Sequence, residues 1–173
     1  MKYDFCYDVP TRITSNIEIG VTNNEGKVVY SLQKYHKNIW QKLLALHFTT
    51  WFINVSIKNM AGKELVKVED IGVAKRKWSL KDSANKENFI LTDVSKFKMT
   101  ERILEFHLDE RKYIISKKTH TKQTTLYEDS EPIVIMEESG KLPPRKNYIT
   151  LVKESSLSES EIICILHLFE IGV

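Results

Sequence analysis

Short runs of alternating apolar and polar residues dominate the chain, and compact turns separate them. Ile17, Ile19 and Val21 alternate with Glu18 and Gly20, and Asn23-Asn24-Glu25-Gly26 then turns the chain into Lys27 to Tyr35. Trp51, Ile53, Val55 and Ile57 share one side of a second pleat. Asn59-Met60-Ala61-Gly62 follows, and Glu64 to Glu69 returns with Val66 and Val68 on one face and Leu65 and Lys67 on the other. A four-residue loop with one left-handed position needs a glycine there, so Gly26 and Gly62 are expected at positive φ. The strand, Asn-x-x-Gly, Lys, strand unit therefore occurs twice. Phe89 to Val94, Arg102 to Leu108, Tyr113 to Lys118, Thr124 to Glu128, Ile133 to Glu137 and Tyr148 to Lys153 continue the scheme. Their turns are read as Asp109 to Lys112 and Asp129 to Pro132, with a break at Gly140 to Pro144. About nine or ten strands at such spacing predict an all-β barrel or sandwich, with sequential strands antiparallel.

Three segments depart from this pattern. Asn38 to His47 carries Ile39, Trp40, Leu43, Leu44 and Leu46 at near-helical spacing, although a strand entering the barrel would also fit. Lys81 to Asn88 is polar and reads as a loop. Ser158-Glu159-Ser160-Glu161 is a capping box, and it opens the most apolar run in the chain, Ile162 to Val173. On a helical wheel the apolar side chains of that run point in every direction, so the helix must be buried or in a membrane. Its apolar part is only about 18 Å long, against a hydrocarbon thickness of about 30 Å. Burial inside the protein wins, and a helix at about 158–171 is expected in the barrel lumen. Glu170, which interrupts the apolar surface, should lie toward the barrel mouth or have a buried partner.

Composition narrows the picture without naming a function. The 173 residues carry 26 Lys+Arg against 23 Asp+Glu, a formal charge of +3, and 42% hydrophobic residues. That length and apolar share suit one globular domain over residues 1–173, with no linker to divide it. Cys6 and Cys164 lie far apart without metal-ligand spacing. No signal peptide is read at the N-terminus and no membrane-spanning run occurs, so a reduced, cytoplasmic protein is expected. No nucleotide-loop, nucleophile-elbow or zinc motif is present. His107 reads as a strand-wall or surface residue, His120 as a loop residue and His167 as a buried imidazole in the terminal helix. A thiol at Cys164 among isoleucines would be raised and unreactive if buried. An enzyme is disfavoured, and neither a cofactor nor a metal is called for.

Clustered basic residues are the one repeated surface chemistry. They occur as Lys34-Tyr35-His36-Lys37, Lys75-Arg76-Lys77-Trp78, Lys96-Phe97-Lys98 and Lys117-Lys118. Lysine attracts anionic headgroups while an adjacent ring seats in the membrane interface. Lys34, Lys37, Lys75, Arg76, Lys77, Lys117 and Lys118 are therefore the candidate contacts for an anionic ligand. The bland reading is an ordinary solubilising surface, with Trp78 and Phe97 packing inward. Nucleic acid is the least favoured partner, because charge of both signs is interspersed along the chain.

The hairpin modules Ile17–Tyr35, Ile53–Glu69 and Leu126–Glu138, followed by the apolar helix Glu161–Ile171, resemble the tubby C-terminal-like superfamily. More narrowly, the chain is similar to the small bacterial branch related to plant LURP-one-related proteins and phospholipid scramblases. The resemblance implies a closed β-barrel of about twelve strands whose hollow is filled by a hydrophobic C-terminal helix. It also implies a non-enzymatic binding module. Basic barrel residues bind phosphoinositide headgroups in the eukaryotic relatives, and scramblase relatives associate with membranes. The expected partner is thus an anionic phospholipid headgroup or other phosphate-bearing ligand, with a location peripheral to the membrane. A protein-interaction adaptor of a bacterial cytoplasmic pathway is the alternative. A lipocalin-like carrier is disfavoured, since a helix in the lumen leaves no room for cargo.

Overall fold

A computed structural model describes residues 2–9, 17–47, 52–72, 75–83, 88–96, 100–140 and 145–173, with the backbone alone at 45–47. The strands are β1 (Phe5–Asp8), β2 (Glu18–Asn23), β3 (Val28–Tyr35), β4 (Asn54–Asn59), β5 (Glu64–Asp70) and β6 (Lys77–Asp82). They continue with β7 (Phe89–Asp93), β8 (Glu101–Leu108), β9 (Arg111–Lys118), β10 (Gln123–Glu128), β11 (Glu131–Glu138) and β12 (Lys146–Leu151). All twelve join in sequence order, each antiparallel to its neighbours, and β1 pairs with β12 to close a barrel. The closing ladder runs from Phe5 opposite Ile149 to Asp8 opposite Lys146. Closure removes the unpaired edges that an open sheet would present.

Two of these strands are absent from the sequence reading. β1 has only four residues, too few to show a period. β6 begins at Lys77 and hides its alternation of Trp78 and Leu80 among Lys77, Ser79 and Lys81, which read as charge rather than pleat. Lys81 and Asp82 accordingly belong to β6 and not to a loop. Residues 84–87 of that expected loop, together with Trp51 and Phe97, lie outside the described residues.

Gly26 and Gly62 both take φ of 79°, as the turn chemistry requires. In each loop the leading asparagine, Asn23 or Asn59, accepts hydrogen bonds through Oδ1 from the amides two and four residues on. The glycine-free turns are shorter than expected. Asp109-Glu110 and Asp129-Ser130 are two-residue connections with both residues at positive φ, so Arg111, Lys112, Glu131 and Pro132 are strand residues. Such turns match the right-handed twist of the flanking strands. Pro132 is accommodated by a register shift between Leu126 and Tyr127.

The helix α2 (Glu159–Gly172) runs through the lumen, as the all-round apolar pattern predicts. Ser158 caps it: its Oγ accepts from the Glu161 amide at 3.3 Å, and Glu161 Oε2 accepts from the Ser158 amide at 2.8 Å. Leu32, Val55, Ile57, Val66, Val68, Leu80, Leu91, Leu104 and Ile115 line the wall around it, all fully buried. Ile163, Ile165, Leu166, Leu168 and Phe169 of α2 are equally buried. Each such side chain contributes about 1.5–3 kcal/mol of burial. Cys164 is enclosed too, and burial raises its thiol pKa further above the ordinary value, so it is a packing residue.

The segment with ambiguous spacing forms the helix α1 (Ile39–His47), inserted between β3 and β4. Asn38 caps it, with Oδ1 accepting from the Gln41 amide at 2.8 Å. Gln41 Oε1 in turn accepts from the Lys37 amide at 2.9 Å and from Asn54 Nδ2 at 3.3 Å. Asn54 is fully buried; its Nδ2 also donates to Tyr35 O, and its Oδ1 accepts from the Asp70 amide. One amide thereby ties α1, β3, β4 and β5 together.

Candidate functional site

Strands in an antiparallel barrel alternate direction, so the connections fall into two sets, one at each rim. The turns at Gly26, Gly62, Glu110 and Ser130 share a rim with the start of α2. The opposite rim carries α1, the β5–β6 connection, the β9–β10 connection and the end of α2. All seven candidate basic residues lie at or next to this second rim. They lie in or beside β3, β6 and β9, three strands apart around the barrel, and they divide by environment.

Lys34 follows Leu32 on the inward side of β3 and is only 3% exposed. Burial lowers its pKa, since a low-polarity surrounding disfavours the charged form. Lys117, at the end of β9, is also turned inward. Its Nζ donates to Glu170 of α2 at 3.2 and 3.3 Å and lies 3.6 Å from Glu138. Arg76 donates to the Gly172 carbonyl. Arg102, isolated in the sequence and outside its basic clusters, donates to Val173 O at 3.1 Å and lies 3.6 Å from Glu170. Its guanidinium also sits 5.2 Å from the centre of the Phe169 ring.

These contacts have one physical cause. The last turn of α2 carries no basic residue, yet its free carbonyls hold the negative end of the helix dipole. Barrel cations from three places supply the missing positive charge. Glu170 is the acid that meets them, at the mouth and partnered, as its interruption of the apolar surface predicts.

Lys37, Lys75, Lys77 and Lys118 remain exposed. Gly72 lies against the backbone of two of them. A Cβ at Gly72 would lie 2.0 Å from the Lys75 carbonyl oxygen and 2.7 Å from the Lys77 amide nitrogen, so only glycine permits that approach. Beside this loop, on the outer face of β5, Glu69 gathers Lys37 at 3.2 Å, Lys67 at 3.6 Å and Lys81 at 3.9 Å. Tyr35 donates to the same carboxylate at 3.1 Å, and Lys67 stands over its ring at 5.1 Å. Partial burial works to raise the Glu69 pKa, but the Lys37 hydrogen bond and charge outweigh it and hold the carboxylate below its ordinary value. Three cations on one acid leave a net positive patch. At neighbouring His36, burial first and then the charges of Lys34 and Lys42 lower the pKa. Lys67 and Lys81 lie outside the basic clusters of the sequence, and only the pairing of β5 with β6 brings them together.

The same rim presents apolar side chains. Ile39, Trp40, Leu43 and Leu44 of α1 are all exposed, and Ile71 and Val94 stand out from the β5–β6 and β7–β8 connections. A cleft beside α1 is lined by Gln33, Lys34, Tyr35, His36, Asn38, Ile39 and Lys42. No group of three or more His, Cys, Asp or Glu side chains suited to a metal occurs among the described residues. No described helix is long and apolar enough to cross a membrane.

No curated protein and no solved structure gives a significant match to the chain. The family comparison is decisive by itself: the model of the Tubby C-terminal like domain matches residues 5–173, spanning the whole barrel and its central helix, and the chain belongs to this family.

Proposed function

We propose that this tubby-like domain docks on anionic phospholipid, or on phosphate-bearing ligands, through the basic rim where α2 ends. Domains of this family are non-enzymatic binding modules. The observation that carries the reading is the patch around Glu69, where Lys37, Lys67 and Lys81 share one carboxylate next to exposed Lys75 and Lys77. Of the seven basic candidates, Lys37, Lys75, Lys77 and Lys118 are assigned to headgroup contact. Lys34, Arg76 and Lys117 are assigned to the inner wall and the fastening of α2. Each lysine near an anionic surface adds about 1 kcal/mol, so four suffice for reversible, peripheral binding.

Sedimentation with phosphatidylcholine vesicles, with and without phosphatidylserine, tests this. Binding is expected only to the anionic vesicles and should weaken steeply from low to physiological salt, where exposed charges are screened over about 8 Å. Replacing Lys37, Lys75 and Lys77 by Ser should lower binding at least tenfold with little change in stability, since exposed charges contribute little to it. Binding indifferent to salt and to this triple substitution refutes the electrostatic reading.

A further inference from the structure

We infer that α1 is the element of this rim that enters the membrane, seating its apolar face at the boundary between headgroups and acyl chains of an anionic bilayer. The inference rests on the docking proposed above and adds a second, non-ionic component to it. The usual surface helix turns its apolar face to the core and its polar face to water. Helix α1 does the reverse. At about 100° per residue, Ile39, Leu43, Trp40 and Leu44 fall near 0°, 40°, 100° and 140°, with Gln41 near 200°. Gln41 is the half-buried residue that bonds Asn54 in the barrel wall. The four apolar residues on the opposite arc are 69%, 48%, 71% and 40% exposed, in the same order. The helix is thus fastened to the barrel by its polar side and holds its apolar side outward.

The surroundings specify the occupant. Lys42 flanks the apolar arc near 300° on the same wheel, and Lys37 precedes the helix, so the apolar face has a cationic border. A tryptophan with lysines beside a short apolar face is the composition that settles at a membrane interface. At about 14 Å for nine residues, α1 is too short to span a hydrocarbon core of about 30 Å and would lie in its surface. A second copy of the chain fits poorly. Four side chains fall short of the about 800 Å² that each partner gives to a stable interface, and two copies would bring like charges together. An anionic bilayer answers both the apolar face and its border. Ile71 and Val94 at the same rim extend the apolar contact, whereas the opposite rim presents acidic turns at Asp109-Glu110 and Asp129.

The test uses the full chain. Both native cysteines are buried and free, so an environment-sensitive nitrobenzoxadiazole label on Leu43→Cys or Leu44→Cys reports α1 alone. With phosphatidylcholine–phosphatidylserine vesicles, the label should shift to the blue and be quenched by brominated acyl chains. The same label on Met60→Cys, at the far rim, should do neither. Unlabelled Trp40→Ser/Leu43→Ser, checked for native circular dichroism, should bind those vesicles at least tenfold more weakly and lose the part of binding that resists salt. If vesicles bind but the Leu43 and Leu44 labels stay unquenched and the serine variant binds normally, the inference about α1 is overturned while rim docking stands. If anionic vesicles do not bind at all, the docking reading fails and this one with it. Concentration-dependent dimerisation that the serine variant abolishes, without vesicle binding, assigns α1 to a second copy and overturns it as well.

Discussion

Glu110 and Ser130 hold φ of 63° and 76° in turns whose other residue is an aspartate. Aspartate tolerates the left-handed region because its short side chain can bond nearby backbone; here Asp129 Oδ1 reaches the neighbouring strand and accepts from the Lys112 amide at 2.9 Å. Glutamate has no such compensation, and its Cβ opposes that conformation. Glu110→Gly should therefore stabilise the protein by roughly 0.5–1 kcal/mol, the strain relieved being partly offset by a more flexible unfolded chain. The midpoint of urea unfolding measures it, and an unchanged or lowered midpoint would show that the turn carries no strain. Gly26 and Gly62 adopt the same region, and a Cβ at either would meet nothing within 4 Å, so what fixes glycine there is backbone conformation and not space. Gly72 is the converse, a glycine set by crowding and not by a left-handed φ. The two kinds differ in legibility: Asn-x-x-Gly between alternating strands announces a turn, whereas Ile71-Gly72-Val73 gives no local sign that a neighbouring backbone will lie against it.

At the scale of elements, α2 carries the pH dependence of the fold. His167 lies edge-on to Tyr7, ring centres 5.4 Å apart, and burial pushes its pKa down to about 4 from an ordinary 6.5. Above pH 7 the imidazole is neutral whether the chain is folded or not. Below about 6.5 the unfolded chain takes up a proton that the folded one refuses, so stability falls until the pH reaches about 4 and then levels. The loss is roughly 3 kcal/mol at most. His36, also lowered by burial, adds in the same direction, and the raised carboxyl of Glu161 works against both at the acid end. His167→Phe should flatten most of the fall in thermal midpoint between pH 7 and 5; a slope as steep as the parent's would mean that His167 does not carry it. The strength of the α2 pattern explains why this element is legible: a capping box followed by apolar residues on every side favours a buried helix over a strand buried on both faces. For α1 the spacing of Ile39, Trp40, Leu43 and Leu44 is near-helical but also admits a strand, an apolar stripe predicts burial, and its exposure depends on Gln41 bonding Asn54, a contact no periodicity encodes. The basic clusters were legible as clusters, yet Lys34 and Lys117 turn inward because strand alternation and the needs of the α2 terminus outrank sequence proximity.

Taken as a whole molecule, the barrel and its helix are mutually dependent. Phe5 pairs with Ile149 to close the wall, so closure joins the two ends of the sequence, and such distant contacts make folding slow relative to a helical protein of equal size. The wall cannot be completed around an empty lumen. Val21, Leu32, Val55, Val68, Leu80, Leu104 and Ile115 would face a void that α2 fills in the native state, and every large apolar side chain lost from a core costs about 2–5 kcal/mol. Marginal stability of about 5–15 kcal/mol cannot absorb the loss of an entire core helix. The end of α2 adds to this, because Arg76, Arg102 and Lys117 would be left around the mouth without the carbonyls and the Glu170 carboxylate that occupy them. A chain ending at Leu157 is accordingly expected to be insoluble, or to bind hydrophobic dye without a cooperative thermal transition. Leu166→Asp, which places an unpaired charge in the same core, should fail in the same way, while Ser158→Ala, losing only the cap, should remain folded at a cost of about 1 kcal/mol. Differential scanning calorimetry of the three variants decides the matter: a sharp transition in the shortened chain would mean that the strands form a self-sufficient sheet and that α2 is an accessory to the barrel and not its core.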